Sequence, residues 1–179
     1  MTPRLKTVTQ RIIFLSLCLS LSLLFSGCSR RTSGPSATPT PAMVSSADVV
    51  RASAAEVQIS PGGSADAVVN VTIQSGYHIN ANPASDAYLI ATELTLKPDD
   101  GFSVGFITYP TPLTKKFSFS DKQLAVYEGE TAIKIYLKAT KSATRGQHSF
   151  AGKLNVQACD DQVCYAPGTI DLAIPVSVK

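Results

Sequence analysis

Two cysteines, Cys159 and Cys164, stand with four residues between them in the run Gln157-Ala158-Cys159-Asp160-Asp161-Gln162-Val163-Cys164-Tyr165-Ala166-Pro167. A thiolate attacks a disulfide sulfur, so such a pair can break and remake its mutual bond against a partner's thiol. The rate follows thiolate fraction, leaving-group pKa and access. The segment Leu154–Pro167 reads as a strand, a four-residue loop and the start of a return. Facing residues of an antiparallel pair have Cα atoms about 4.5 to 5.5 Å apart, inside the roughly 4.4 to 6.8 Å window of a disulfide. The sulfurs can therefore bond across the hairpin mouth. A loop this small gains less than the roughly 3 kcal/mol of a 15-residue closed loop, which favours a redox couple over a staple. Three alternatives stay open. A structural disulfide can pin the hairpin of an immunoglobulin-like envelope binding module. The two thiolates with His78 can handle copper, because soft thiolate suits Cu(I). Zinc needs two more ligands and only His78 and His148 are on offer, so no metal and no cofactor is assigned.

The elements that must position these sulfurs are strands. From Val49 onward short runs alternate apolar and polar residues: Ala54–Ile59, Ala67–Ile73, Leu89–Leu96, Phe102–Tyr109, Gln123–Tyr127, Ala132–Ala139, His148–Ala158 and Ile170–Val178. The period of two is plain in Val69/Val71/Ile73 and Ile133/Ile135/Leu137, so each strand buries one face. Turn chemistry separates the runs, as in Pro61-Gly62-Gly63 and Glu128-Gly129-Glu130. About eight short strands without a helical stretch predict an all-β, immunoglobulin-like two-sheet sandwich. The irregular segments 80–88 and 110–122 are the expected binding loops.

The N-terminus has another composition. Arg4, Lys6 and Arg11 precede the 14-residue apolar run 12–25, too short for the roughly 20 residues of a membrane span and ordered as a secretory signal. Phe25-Ser26-Gly27-Cys28 resembles the bacterial lipobox, which makes Cys28 the expected lipidation site and consigns Cys18 to the discarded leader. Acyl chains at about 0.8 kcal/mol per methylene would hold the protein at a membrane surface. Ser29 after the lipidated cysteine favours the outer membrane. The reading is a signal peptide over 1–27, lipidated cysteine and a Ser/Thr/Pro-rich tether over 28–46, and a folded domain over 47–179. The tether reaches roughly 25 Å as a coil. In an exported domain the remaining pair, Cys159 and Cys164, can oxidise.

Charge excludes one partner class. The chain carries 16 Lys and Arg against 13 Asp and Glu, and three of those cations lie in the leader. The body is neutral, without the basic stripe that displaces counterions from phosphates, so no nucleic acid is expected.

The cysteine run, together with Gly76-Tyr77-His78-Ile79-Asn80-Ala81-Asn82 and Val126-Tyr127-Glu128-Gly129, resembles the N-terminal periplasmic domain of the thiol:disulfide interchange protein DsbD. The resemblance covers roughly residues 50 to 178. It implies an immunoglobulin-like fold and a thiol:disulfide oxidoreductase function in the periplasm. Its partners would be a membrane electron donor of the DsbD type and periplasmic thioredoxin-like or disulfide-bearing proteins. The chain ends at Lys179, so that donor is expected to be a separate protein. Cys164 matches the attacking cysteine and Cys159 the resolving one. Four residues part them where some members have five.

The resemblance also implies a cap loop, matched by Pro112–Ser120, with Phe117 or Phe119 as the ring that covers the disulfide. Lys115-Lys116 stand there where close relatives of the best-known members are acidic. Tyr77, His78 and Asn80 match the segment beside the cysteines, with Tyr165 flanking them. His78 is a candidate to supply a proton or stabilise a thiolate. Asp160 and Asp161 would raise the thiol pKa by opposing thiolate formation, or serve as turn residues.

Overall fold

The computed structural model describes residues 44–179. The leader, Cys18, the lipidation candidate Cys28 and the tether up to residue 43 lie outside the described residues. Among the described residues twelve strands form: β1 (Val50–Ala54), β2 (Val57–Ile59), β3 (Ser64–Ile73), β4 (His78–Asn80), β5 (Glu93–Lys97), β6 (Phe102–Thr108), β7 (Leu113–Lys116), β8 (Gln123–Tyr127), β9 (Glu130–Ala139), β10 (Gly146–Val156), β11 (Ala158–Cys159) and β12 (Gly168–Val178).

Two four-stranded sheets, in the orders β1-β3-β9-β6 and β2-β12-β10-β5, make the expected immunoglobulin-like sandwich. The alternation along each strand explains why they meet. Val69, Val71, Ile133, Ile135 and Leu137 of the first sheet share one buried cluster with Phe150, Leu154, Val156, Ile174 and Val176 of the second. Burying each such side chain contributes about 1.5 to 3 kcal/mol. β2 runs parallel to β12, with Val57 opposite Val176.

A third sheet, ordered β11-β4-β8-β7, was not foreseen, and it carries the cysteine hairpin. The expected strand His148–Ala158 changes sheets at Gln157. Its first part, β10, lies between β12 and β5, and beyond Gln157 the residues Ala158 and Cys159 pair with β4. Two of the strands in this sheet escaped the periodicity argument for physical reasons. All three residues of β4 are buried, because strands flank it and the cap segment packs on it, so nothing alternates. All four residues of β7 are exposed, yet they pair with β8 inside the segment read as irregular. Beneath this sheet Leu89, Phe117, Leu124 and Val126 form a second, small apolar cluster.

The domain also begins earlier than composition implied. Ser46–Asp48 form one 3-10 turn, capped by Ser45 and Asp48, and Ser46 is 0% exposed although it reads as tether. Gly168, at the start of β12, makes room for this turn: a Cβ there would stand 2.6 Å from the Ala47 nitrogen.

Candidate functional site

Cys159 and Cys164 are bonded at the tip of the β11 hairpin, with Cα atoms 3.9 Å apart. They form an isolated antiparallel bridge. The flanking bonds, Asp160 N–H to Val163 O at 3.0 Å and Tyr165 N–H to Ala158 O at 2.9 Å, place them at a position without direct backbone bonds between the pair. That is the closer of the two antiparallel spacings, about 4.5 Å, and here it is closer still than the 4.5 to 5.5 Å expected from sequence.

Asp160 builds the loop between them. Its Oδ1 accepts the backbone N–H groups of Gln162 and Val163, both at 2.8 Å, and its Oδ2 accepts the Tyr165 hydroxyl at 2.5 Å. These three donors, the Tyr165 hydroxyl first, hold the Asp160 carboxyl below its usual range. The same bond to Asp160, followed by desolvation, pushes the Tyr165 phenol up to about 12. Asp160 therefore works as the organiser of an Asx turn, with its charge shared among donors. Asp161 is exposed, and its carbonyl accepts the Ser118 hydroxyl at 2.6 Å, which ties the cap segment to the hairpin.

The two sulfurs sit in unlike surroundings. Cys159 is 0% exposed, whereas Cys164 is partly exposed and packs against the second cluster together with Phe119. Opposite Cys159 on the neighbouring strand stands His78. Its ring lies on that of Phe117, with centroids 4.0 Å apart and 16° between the planes, and Phe119 lies nearly parallel at 6.4 Å. Phe117 is thus a core residue and a roof for His78 at once, while Phe119 is half-buried and lies against it at 5.4 Å. His78 is 2% exposed, and its Nε2 has no hydrogen-bond partner. Burial lowers its pKa, against the raising influence of Glu128, Asp161 and Asp160, while Lys115 adds to the lowering. A cleft of about 390 Å³ runs beside it, bounded among others by Tyr77, Lys115, Glu128 and Asp161. Lys115 and Glu128 are paired there at 2.5 Å.

Tyr77 and Tyr165 flank the hairpin with ring centroids 5.8 Å apart. Asn80 is a strut: its Nδ2 donates to Gln157 Oε1 at 3.0 Å and to the Ile90 carbonyl at 3.1 Å. Gln157 Oε1 also accepts the Ile90 N–H at 2.9 Å, and its Nε2 reaches the Tyr165 carbonyl at 3.4 Å. Gln157 therefore links both arms of the hairpin to the segment before β5, a role no spacing rule assigned to it. Ser46 is the second strut missed from sequence. Its Oγ accepts the Ala158 N–H at 2.9 Å and donates to the Ala166 carbonyl at 2.6 Å, clasping the hairpin at its base.

His148 lies elsewhere, between Asp99 at 3.1 Å and the Thr144 carbonyl at 2.8 Å. The two histidines considered for zinc are thus not brought together. Among the described residues no group of three or more His, Cys, Asp or Glu is placed to hold a metal ion.

Residues 46–174 match the family described as thiol:disulfide interchange protein DsbD, N-terminal. The chain belongs to that family. Thiol–disulfide interchange is the family's activity, and in this DsbD N-terminal domain the disulfide-bonded pair is Cys159–Cys164. No curated protein matches the chain. Among solved structures, the N-terminal periplasmic domain of ScsB from Proteus mirabilis is similar at 18% identity and a TM-score of 0.47, over 72% of this chain and 45% of that one. The DsbD N-terminal domain of Neisseria meningitidis, in its reduced form, is similar at 18% identity and a TM-score of 0.38, over 62% of this chain and 77% of that one. The chain thus spans under half the length of the ScsB chain it matches.

Proposed function

We propose that this domain passes reducing equivalents between a membrane-embedded donor of the DsbD type and thioredoxin-like or disulfide-bearing proteins of the periplasm, through Cys159 and Cys164. The observation that carries the reading is the asymmetry of the pair: one sulfur belongs to a fully buried residue, the other to a partly exposed one at a hairpin tip. Of the two sulfurs, Cys164 is the one that the thiolate of a docked partner attacks. That attack forms the mixed disulfide and leaves the electron pair on Cys159 Sγ. In the reverse direction the Cys164 thiolate attacks the partner and Cys159 resolves the bond. Phe117 and Phe119 roof the site, so that random thiols meet apolar rings until a docked partner displaces them. Export by the leader and acylation at Cys28 complete the proposal. They place the domain outside the cytoplasm, on a lipid anchor and tether, with the outer membrane favoured.

A redox titration of the purified domain against thiol buffers tests the exchange. An exchanging couple has a midpoint above about −300 mV, and a value well below that marks a permanent structural bond.

A further inference from the structure

His78 offers a hydrogen-bonding atom that the oxidised protein leaves unused. Nε2 is buried and has no hydrogen-bond partner, and the residue facing His78 across the β4–β11 pair is the fully buried Cys159. A buried polar atom without a partner is costly, and both disulfide sulfurs lack a proton to give. Reduction changes that. Cys159 then carries an S–H, which can donate to a bare Nε2, or a thiolate, which can accept from Nε2–H. Each tautomer of the ring is thus complementary to one form of the reduced sulfur.

We infer that His78 is the hydrogen-bond and proton partner of reduced Cys159, and that it biases the Cys159/Cys164 couple towards the dithiol. The inference rests on the proposed exchange function. The step balances as follows. A partner holding one thiolate and one thiol attacks Cys164 Sγ, the Cys159–Cys164 bond breaks, and its electron pair stays on Cys159 Sγ. Cys159 takes up one proton, shared with His78 Nε2, as the partner's second thiol gives one up. That second thiolate then resolves the mixed disulfide and releases Cys164 as a thiolate. Two electrons and one proton have passed from partner to domain. The charged groups around His78 act on both states: Glu128 and Lys115 from the cleft, Asp160 and Asp161 from the hairpin. Burial favours the neutral ring, whose action on Cys159 is hydrogen bonding.

The test is the equilibrium constant of the full-length protein's couple with glutathione, measured across pH 5 to 9 for wild type, His78→Phe and His78→Gln. The phenyl ring keeps the stack on Phe117 and cannot bond to sulfur; the amide can. The expected result is a loss of about tenfold in His78→Phe, which is about 30 mV towards the more reducing side for a two-electron couple, with partial recovery in His78→Gln and a changed pH profile. Equal constants and profiles in all three proteins would overturn the inference. If instead the wild-type pair does not equilibrate with glutathione at all, the exchange reading itself fails, and the two failures are told apart.

Discussion

Replacing Phe117 by alanine tests the roof over the site. The ring is 6% exposed, rests on His78 at 4.0 Å and fills a cluster with only three other buried members. A buried Phe→Ala substitution costs about 3 to 5 kcal/mol, and the lost ring contact adds roughly 0.5 to 1.5 kcal/mol. Because the cluster is small, part of the cavity can collapse, so the lower figure of about 3 kcal/mol applies. With a urea slope of about 1.5 to 2 kcal/mol/M for a domain of this size, the midpoint should fall by about 1.5 to 2 M. Phe119→Ala, at a half-buried ring, should cost about 1 kcal/mol. The second assay is the rate at which dithiothreitol reduces the disulfide in native buffer. If the roof limits access, Phe117→Ala speeds reduction about tenfold, equivalent to about 1.4 kcal/mol of local opening. An unchanged midpoint would refute the core assignment. A lowered midpoint with an unchanged reduction rate would refute the shielding role while leaving the packing intact.

Three further outcomes follow from the same geometry. Ser46→Ala removes one buried and one part-buried hydrogen bond at the hairpin base and should lower stability by about 2 to 3 kcal/mol, read by urea denaturation. Gly168→Ala drives a Cβ to 2.6 Å from the Ala47 backbone and should cost about 1 to 3 kcal/mol by overpacking, with amide exchange faster in the 44–48 turn. His78 has a lowered pKa from burial, so its contribution is fully present above about pH 6.5, the unfolded value, and is lost as pH falls towards its folded value. His148 is raised, first by its bond to the Thr144 carbonyl, and works in the opposite sense. Comparison with His78→Phe isolates the first term: wild type should lose stability relative to the variant steadily as pH falls below about 6.5, and a difference that does not change with pH contradicts it.

Much of this was legible in the residue order. The alternation in Val69/Val71/Ile73 and Ile133/Ile135/Leu137 identifies strands that bury one face, and those strands make the sandwich. Cys159 of the cysteine run lies on the strand next to His78 and Asn80 in one sheet, and Tyr77 directly precedes that second strand. What escaped was set by long-range packing. β4 is covered on both sides and has no period; β7 is exposed on both and looks like loop. Ser46 has the composition of a tether and becomes a clasp only when Ala158 and Ala166 arrive on either side of it. Gln157 sits inside the recognised run, yet its role as the point where a strand leaves one sheet for another depends on Ile90 and Asn80, far off in sequence.

The division of labour between the two sulfurs is tested most directly by trapping. Full-length Cys159→Ser and Cys164→Ser proteins are each incubated with an oxidised thioredoxin, and mixed disulfides are counted on a non-reducing gel. The account predicts a stable covalent complex with Cys159→Ser, whose remaining Cys164 is partly exposed, and little or none with Cys164→Ser, whose remaining Cys159 is buried. Equal trapping by both variants, or trapping by Cys164→Ser alone, would contradict it.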